Sequence, residues 1–378
     1  MERISIENLG PIDGKFEMSL DQKLTILIGE QATGKSTIAK ALYFCYFCIS
    51  ATIDAFKGKN SIVFGDYLRE DMRLYFYKNY NHGSVKYTCN ELGTDLFINF
   101  GSNSPDMKIT NVVDLEYRNS LYIPAGRSII PLLFENYAAA SRIKVDPFFD
   151  EFLLFLDAIR KEYNISLHEM LAQALDISPY PIDENNVKGA ILLVNQILKS
   201  EYRYQNGREQ LFFNSETSMP IVSASSGQQE VLYILMTLFY ALLHPKPYTI
   251  IIEEPEAHIF PMAQKLIIEL VVRVINATGS HVIITTHSPY ILTATNLLIH
   301  SAIVENKINS KETVVDPMAR LNPEDVSAYM LERNGSFSYR SIIDGETGLI
   351  AAEEIDTVSE IIDEGMSDLI NLEVKYGL

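Results

Sequence analysis

Three short apolar runs punctuate the chain: Leu24–Ile28, Tyr248–Ile252 and His281–Thr286. Runs of this length, rich in Ile and without polar alternation, predict strands buried on both faces of a parallel sheet. Residues 2–7 and 15–20 predict short strands leading into the first run. Between 61 and 125, apolar and polar residues alternate between turn signals such as Asn81-His-Gly and Glu91-Leu-Gly. That pattern predicts strands at Tyr75–Tyr77, Ser84–Thr88, Asp95–Phe100 and Ile109–Leu115, with another at Ser120–Ile123. From 131 the period changes, and Phe, Leu and Ile recur at helical spacing over Phe148–Tyr163 and Val187–Tyr202, separated by Pro179-Tyr-Pro181. Asn206-Gly207, between Tyr202–Tyr204 and Gln210–Phe213, is a hairpin signal. Thr37–Cys48 and Glu230–Leu243 read as helices, and a helical tail is expected after Pro317.

Strands alternating with helices give an α/β fold class. The expected organisation is one core in two parts, 1–60 and 215–316, with a β-rich lobe at 61–130 and a helical arm or lid at 131–214. An acidic helical tail at 317–378 completes the chain.

The chemistry lies at the ends of the apolar runs. Gly29-Glu30-Gln31-Ala32-Thr33-Gly34-Lys35-Ser36 fits G-x-x-x-x-G-K-[ST] and sits between a strand and the helix that Thr37 enters, the context that pattern needs. Glycines there let backbone N–H groups turn inward around phosphate oxygens, and the helix start adds its positive dipole end. Lys35 is then placed to neutralise β- and γ-phosphates, and the Ser36 hydroxyl to ligate Mg²⁺. The second run ends in Glu253-Glu254-Pro255, putting two carboxylates at a strand tip, where open α/β sheets bind ligands. Glu253 suits Mg²⁺, through a water, and Glu254 suits a general base. His287 closes the third run at another strand tip, where a side chain can reach the γ-phosphate. Ser225-Ser-Gly227-Gln228-Gln229 opens an apolar helix and offers a hydroxyl and N–H groups to an anion, although Ser and Gly also cap ordinary helices.

Together these words resemble the ABC-type ATPases of the OLD-like group, often described as AAA-family ATP-binding proteins. The resemblance rests on Glu253-Glu-Pro-Glu-Ala-His-Ile-Phe-Pro261, Thr286-His-Ser-Pro-Tyr-Ile-Leu292, Ser225-Ser-Gly-Gln-Gln-Glu230 and Tyr122-Ile-Pro-Ala-Gly-Arg-Ser128. It covers residues 1–50 and about 215–300 well, and the middle only loosely. It implies an ABC-type P-loop ATPase core with ATP and Mg²⁺ as cofactors and His287 as the switch histidine. It also implies a head-to-tail dimer in which Ser225, Gly227 and Gln228 of one protomer close on ATP held by the other. The glutamine that usually senses Mg²⁺ has no evident counterpart; Arg127 is the candidate substitute, an ordinary ion pair being the alternative. Members of this group look like engines of DNA repair and anti-phage defence. The leading expectation is an ATPase subunit that controls a separately encoded effector, a nuclease, as in two-gene defence systems such as Septu. A RecF- or SMC-like repair ATPase acting on DNA and a transporter nucleotide-binding domain are the competing readings.

Composition sharpens this. With 47% hydrophobic and 21% charged residues in 378, the chain is core-forming. No run approaches the ~20 apolar residues of a membrane span, so a cytoplasmic location is expected. A net charge of −18 has the wrong sign for broad contact with phosphate backbones, although a local basic stripe stays open. Acids crowd the end from Asp344 onward, as a solvated helix pair or as a docking surface for a basic partner. Cys45 and Cys48 lie in the helix after the glycine loop with no second pair to complete a zinc site, and read as core residues.

Overall fold

The computed structural model describes residues 2–56, 75–76, 82–89, 94–99, 106–110, 119–135, 145–214, 216–305, 314–352 and 366–367. The three apolar runs become β3 (Leu24–Gly29), β11 (Tyr248–Glu253) and β12 (His281–Thr286). They lie side by side in parallel, with β12 in the middle. All residues of β3 and β11 are buried, which is why neither shows polar alternation. The sheet is completed by β7 (Asn119–Ile123), β13 (Val326–Asn334) and β14 (Ser336–Ser341), in the order β14-β13-β3-β12-β11-β7. β13 and β7 also run parallel to their neighbours; β14 is antiparallel.

Period-two alternation divides the middle strands between two cores. Ile26, Ile28, Ile250, Ile252 and Ile284 point into one, and Leu27, Ile251 and Ile283 into the other. The second core holds α1 (Lys35–Phe56), including the buried Cys45 and Cys48, against an antiparallel sheet. That sheet has the order β2-β1-β4-β5-β6, from β1 (Glu2–Leu9), β2 (Ile12–Ser19), β4 (Ser84–Cys89), β5 (Thr94–Asn99) and β6 (Asp106–Thr110). Burial of both thiols pushes their pKa values well up, leaving them inert.

The first core holds α6 (Ser226–Leu243), α7 (Pro261–Thr278) and α8 (Pro289–Glu305). α3 (Pro147–Ile159), α4 (Leu167–Ile177) and α5 (Glu184–Leu198) share it, with a short helix α2 (Ile130–Glu135) before them. α4 starts on a Ser166–Glu169 capping box and α5 on an Asp183 cap, so local chemistry sets both starts. The Asn206-Gly207 turn joins β8 (Glu201–Gln205) to β9 (Arg208–Phe212), and β10 (Ser218–Pro220) pairs alongside. Among the described residues no helix is long and apolar enough to cross a membrane.

Four expectations change. The helices expected as an arm over 131–214 pack on α6 in the shared core, because Phe152, Leu156, Val187 and Ile191 need an apolar neighbour. The β lobe expected over 61–130 is joined to β1 through β4, and β7 leaves it for the central sheet. Tyr75 and Phe76 are helical; Tyr77, the Glu91-Leu-Gly turn and residues 111–115 lie outside the described residues. The tail expected as helix from 317 contains the hairpin β13–β14, whose Val326, Ala328 and Leu331 are buried against the core, so the core runs beyond 316. The expected acidic helix pair falls largely on residues that are not described.

Candidate functional site

Parallel pairing sets the C-terminal ends of β3, β12 and β11 along one edge, with Ile28 beside Thr286 and Glu253 beside Thr285. Everything the sequence singled out follows one of these ends, except the serine word and Arg127.

The glycine loop leaves β3 at Gly29, whose φ is +156°, and enters α1 through Gly34 at φ +103°. A Cβ at Gly29 would lie 2.1 Å from the Leu331 carbonyl oxygen of β13, so only glycine fits. Ala32 takes a left-handed φ of +61° at the turn of the loop. Glu30, Gln31, Ala32 and Ser36 are exposed, whereas Thr33, Lys35 and Thr37 are buried. Lys35 Nζ donates to the carbonyls of Gly29 (2.7 Å) and Glu30 (2.6 Å) and to Thr33 Oγ1 (3.3 Å). Burial pushes its pKa down to about 8, against the opposing pull of Glu254, Glu256 and Glu30. A buried ammonium held among loop carbonyls is poised to move onto a ligand carrying more negative charge.

At the tip of β11, Glu253 is only 4% exposed, and its Oε2 accepts from the Ala125 N–H at 3.3 Å. Its Oε1 is buried without a hydrogen bond of ordinary geometry among the described residues, although the buried Tyr122 hydroxyl lies close enough to interact with this carboxylate. A carboxylate oxygen buried in that state costs about 1–3 kcal/mol unless something satisfies it. A divalent cation, direct or through its water shell, satisfies it, so Glu253 fits a Mg²⁺ ligand, with the exposed Ser36 hydroxyl following the same loop.

Glu254 steps out of the ladder in a left-handed conformation, φ +43°, which costs a non-glycine residue about 1–3 kcal/mol and persists only when its surroundings hold it. Its N–H donates to Thr285 O (2.9 Å) and its carbonyl accepts from Arg127 Nη2 (2.9 Å). Its carboxylate lies 3.4 Å from His287 Nε2, both side chains being partly open to solvent. His287 is held in turn by Glu256: one oxygen of that half-buried carboxylate accepts from the His287 N–H (2.6 Å) and from Thr286 Oγ1 (2.7 Å). Sequence reasoning gave Glu256 no role, although it sits within the Glu-Pro-Glu word.

Ser225 caps α6 in a capping box with Gln228, whose side-chain amide also donates to the Leu198 carbonyl at 2.9 Å. Ser225 and Ser226 are exposed at the helix start. A Cβ at Gly227 would lie 2.7 Å from His258 O, so the first turn of α6 rests directly on the loop that follows Glu254. Gly227→Ala is expected to push these segments apart and slow any reaction at Glu254, with the fold retained. ATP turnover beside thermal unfolding checks this, and an unchanged rate would show the contact to be slack.

A family model for the AAA ATPase domain matches residues 1–64 and 69–292. The chain belongs to that family. It is similar to the SMC head domain from Thermotoga maritima at 8% identity and a TM-score of 0.43, covering 90% of this chain and 98% of that one. It is also similar to an SmcHead bound to the C-winged helix domain of ScpA, at 10% identity and a TM-score of 0.49, covering 90% and 97%. No curated protein matches.

In this AAA ATPase domain Arg127 is not where a nucleotide contact belongs. It is fully buried, and its guanidinium donates to the carbonyls of Glu230 (3.0 Å), Pro124 (2.5 Å), Glu253 (2.7 Å) and Glu254 (2.9 Å). Burial works against its charge, and Glu230, then Glu253, offset that. The expected Mg²⁺-sensing role is therefore replaced by a clamp on the backbone of Glu253 and Glu254. Nor is it a surface ion pair, since Glu230 is 1% exposed. Nothing in the sequence distinguished Glu230 from a solvated acid.

Proposed function

We propose that this ATPase domain binds ATP with Mg²⁺ at the ends of β3, β11 and β12, hydrolyses it there, and completes the site with a second copy of the chain. The observation that carries the reading is the convergence, on one sheet edge, of the buried Lys35, the buried Glu253 oxygen and the Glu254–His287 pair 3.4 Å apart. Backbone N–H groups of residues 29–37 cradle the phosphates, and Lys35 neutralises the β- and γ-oxygens. Ser36 and Glu253 hold Mg²⁺, which when bound offsets phosphate charge. Glu254 takes the proton of the attacking water, and His287 orients that carboxylate and the γ-phosphate.

Ser225, Gly227 and Gln228 act on ATP held by the partner protomer, which the exposure of Ser225 at a helix start supports. Chelating Mg²⁺ with EDTA is expected to abolish phosphate release from ATP; metal-independent turnover would remove Glu253 and Ser36 from these roles.

We propose further that the nucleotide state licenses a separately encoded effector, a nuclease, in anti-phage defence. This rests on the Glu253–Pro261 and Thr286–Leu292 words. The competing repair reading, with DNA bound directly, is disfavoured by the net charge of −18. Pull-down of tagged Glu254→Gln protein from its native host, with ATP and Mg²⁺, separates them. A co-purifying nuclease supports effector control, whereas DNA without a protein partner supports repair.

A further inference from the structure

Arg127 and Glu230 take no part in the reaction just described, yet they join three segments of the site. The Glu230 carboxylate accepts from the N–H groups of Arg127 (3.0 Å) and Ser128 (3.1 Å), and its carbonyl accepts from Arg127 Nε. The same guanidinium reaches across to the Glu253 and Glu254 carbonyls. Glu230 is on the helix that Ser225 caps, and Gly227 on its first turn abuts the His258 carbonyl. The start of α6 is thus tied to the Glu254 loop at two points, one polar and one steric.

What this tie holds is specific. The direction of the Glu254 carboxylate follows from the left-handed turn of its backbone, and relaxation to an ordinary conformation would swing it away from His287. The Glu254 N–H donates to the Thr285 carbonyl, and the Glu254 carbonyl accepts from Arg127 Nη2 and from the Ala257 N–H. We infer that Arg127 and Glu230 are a positioning pair, locking Glu254 in its left-handed conformation and coupling it to the seating of the Ser225 turn. The inference rests on the reading of Glu254 as the general base. A lysine cannot replace Arg127, because a single ammonium lacks the planar fork that spans four carbonyls.

The test is a double-mutant cycle. Arg127→Lys and Glu230→Gln are each made in the native chain and in Glu254→Gln protein, with single-turnover ATP hydrolysis, nucleotide affinity and thermal unfolding measured for all. In the native background, hydrolysis is expected to fall about 10²-fold, the scale of an ångström-sized misplacement. Affinity should stay within about twofold, the scatter of independent substitutions, and the Glu254→Gln background should lose nothing further. A fall under about twofold in the native background, or an equal fall in both backgrounds, would overturn the inference, the latter marking the pair as structural only. If Arg127→Lys lacks a cooperative unfolding transition, Glu230→Gln decides by the same outcomes. If Glu254→Gln alone leaves hydrolysis intact, the general-base reading has failed instead.

Discussion

Glu254→Gln is expected to bind ATP and hardly hydrolyse it, with turnover lowered about 10²–10⁴-fold, the usual contribution of a positioned general base. The substitution removes proton affinity and little else. The backbone at 254 is held through its own N–H and carbonyl by Thr285, Arg127 and Ala257, so the loop keeps its course. A glutamine oxygen can still face His287 Nε2. Phosphate release measured beside binding of a fluorescent nucleotide separates the two effects. A variant that loses affinity as well as rate would mean that Glu254 holds the nucleotide and does not take the proton of water.

Lys35→Met has the opposite signature. Losing the charge-assisted contact to phosphate is expected to weaken ATP binding about 10- to 100-fold, corresponding to about 1.4–2.8 kcal/mol. Thermal stability without nucleotide should be equal or higher, because burial already works against this ammonium, pushing its pKa down to about 8. The removed hydrogen bonds to Gly29 and Glu30 offset part of that gain. A fall in melting temperature together with a fall in affinity would instead make Lys35 chiefly a loop brace. Function and stability pull apart here, as is common where a site holds a charge for a ligand.

The middle of the molecule was legible because its signals are local. β3, β11 and β12 are continuous apolar runs, and such runs have few alternatives to a strand covered on both faces. The glycine loop and the paired glutamates come with fixed flanking elements, so motif and context agreed. Asn206-Gly207 encodes its own turn.

The rest depends on partners far along the chain. β13 mixes buried with partly open residues, and it is a strand because β3, some three hundred residues earlier, offers an unpaired edge. In sequence Glu230 looks like a solvated acid, and Arg127 like a Mg²⁺-sensing residue or one half of a surface ion pair. They are buried because each supplies what the other lacks, across a separation of 103 residues. The acid of Glu256 is likewise defined by a histidine N–H and a threonine hydroxyl on the next strand. Apolar periodicity reports which face is inward; it does not say which buried donor meets which acceptor.

In the proposed mechanism the ATP site is completed by a second copy of the chain. Light scattering of Glu254→Gln protein on a sizing column, with and without ATP and Mg²⁺, tests it most directly. The mass is expected to double from one 42.7 kDa chain when ATP is present, and the doubling to vanish when Lys35→Met is added. ATP bound at full occupancy to a species that stays at the mass of one chain would contradict it.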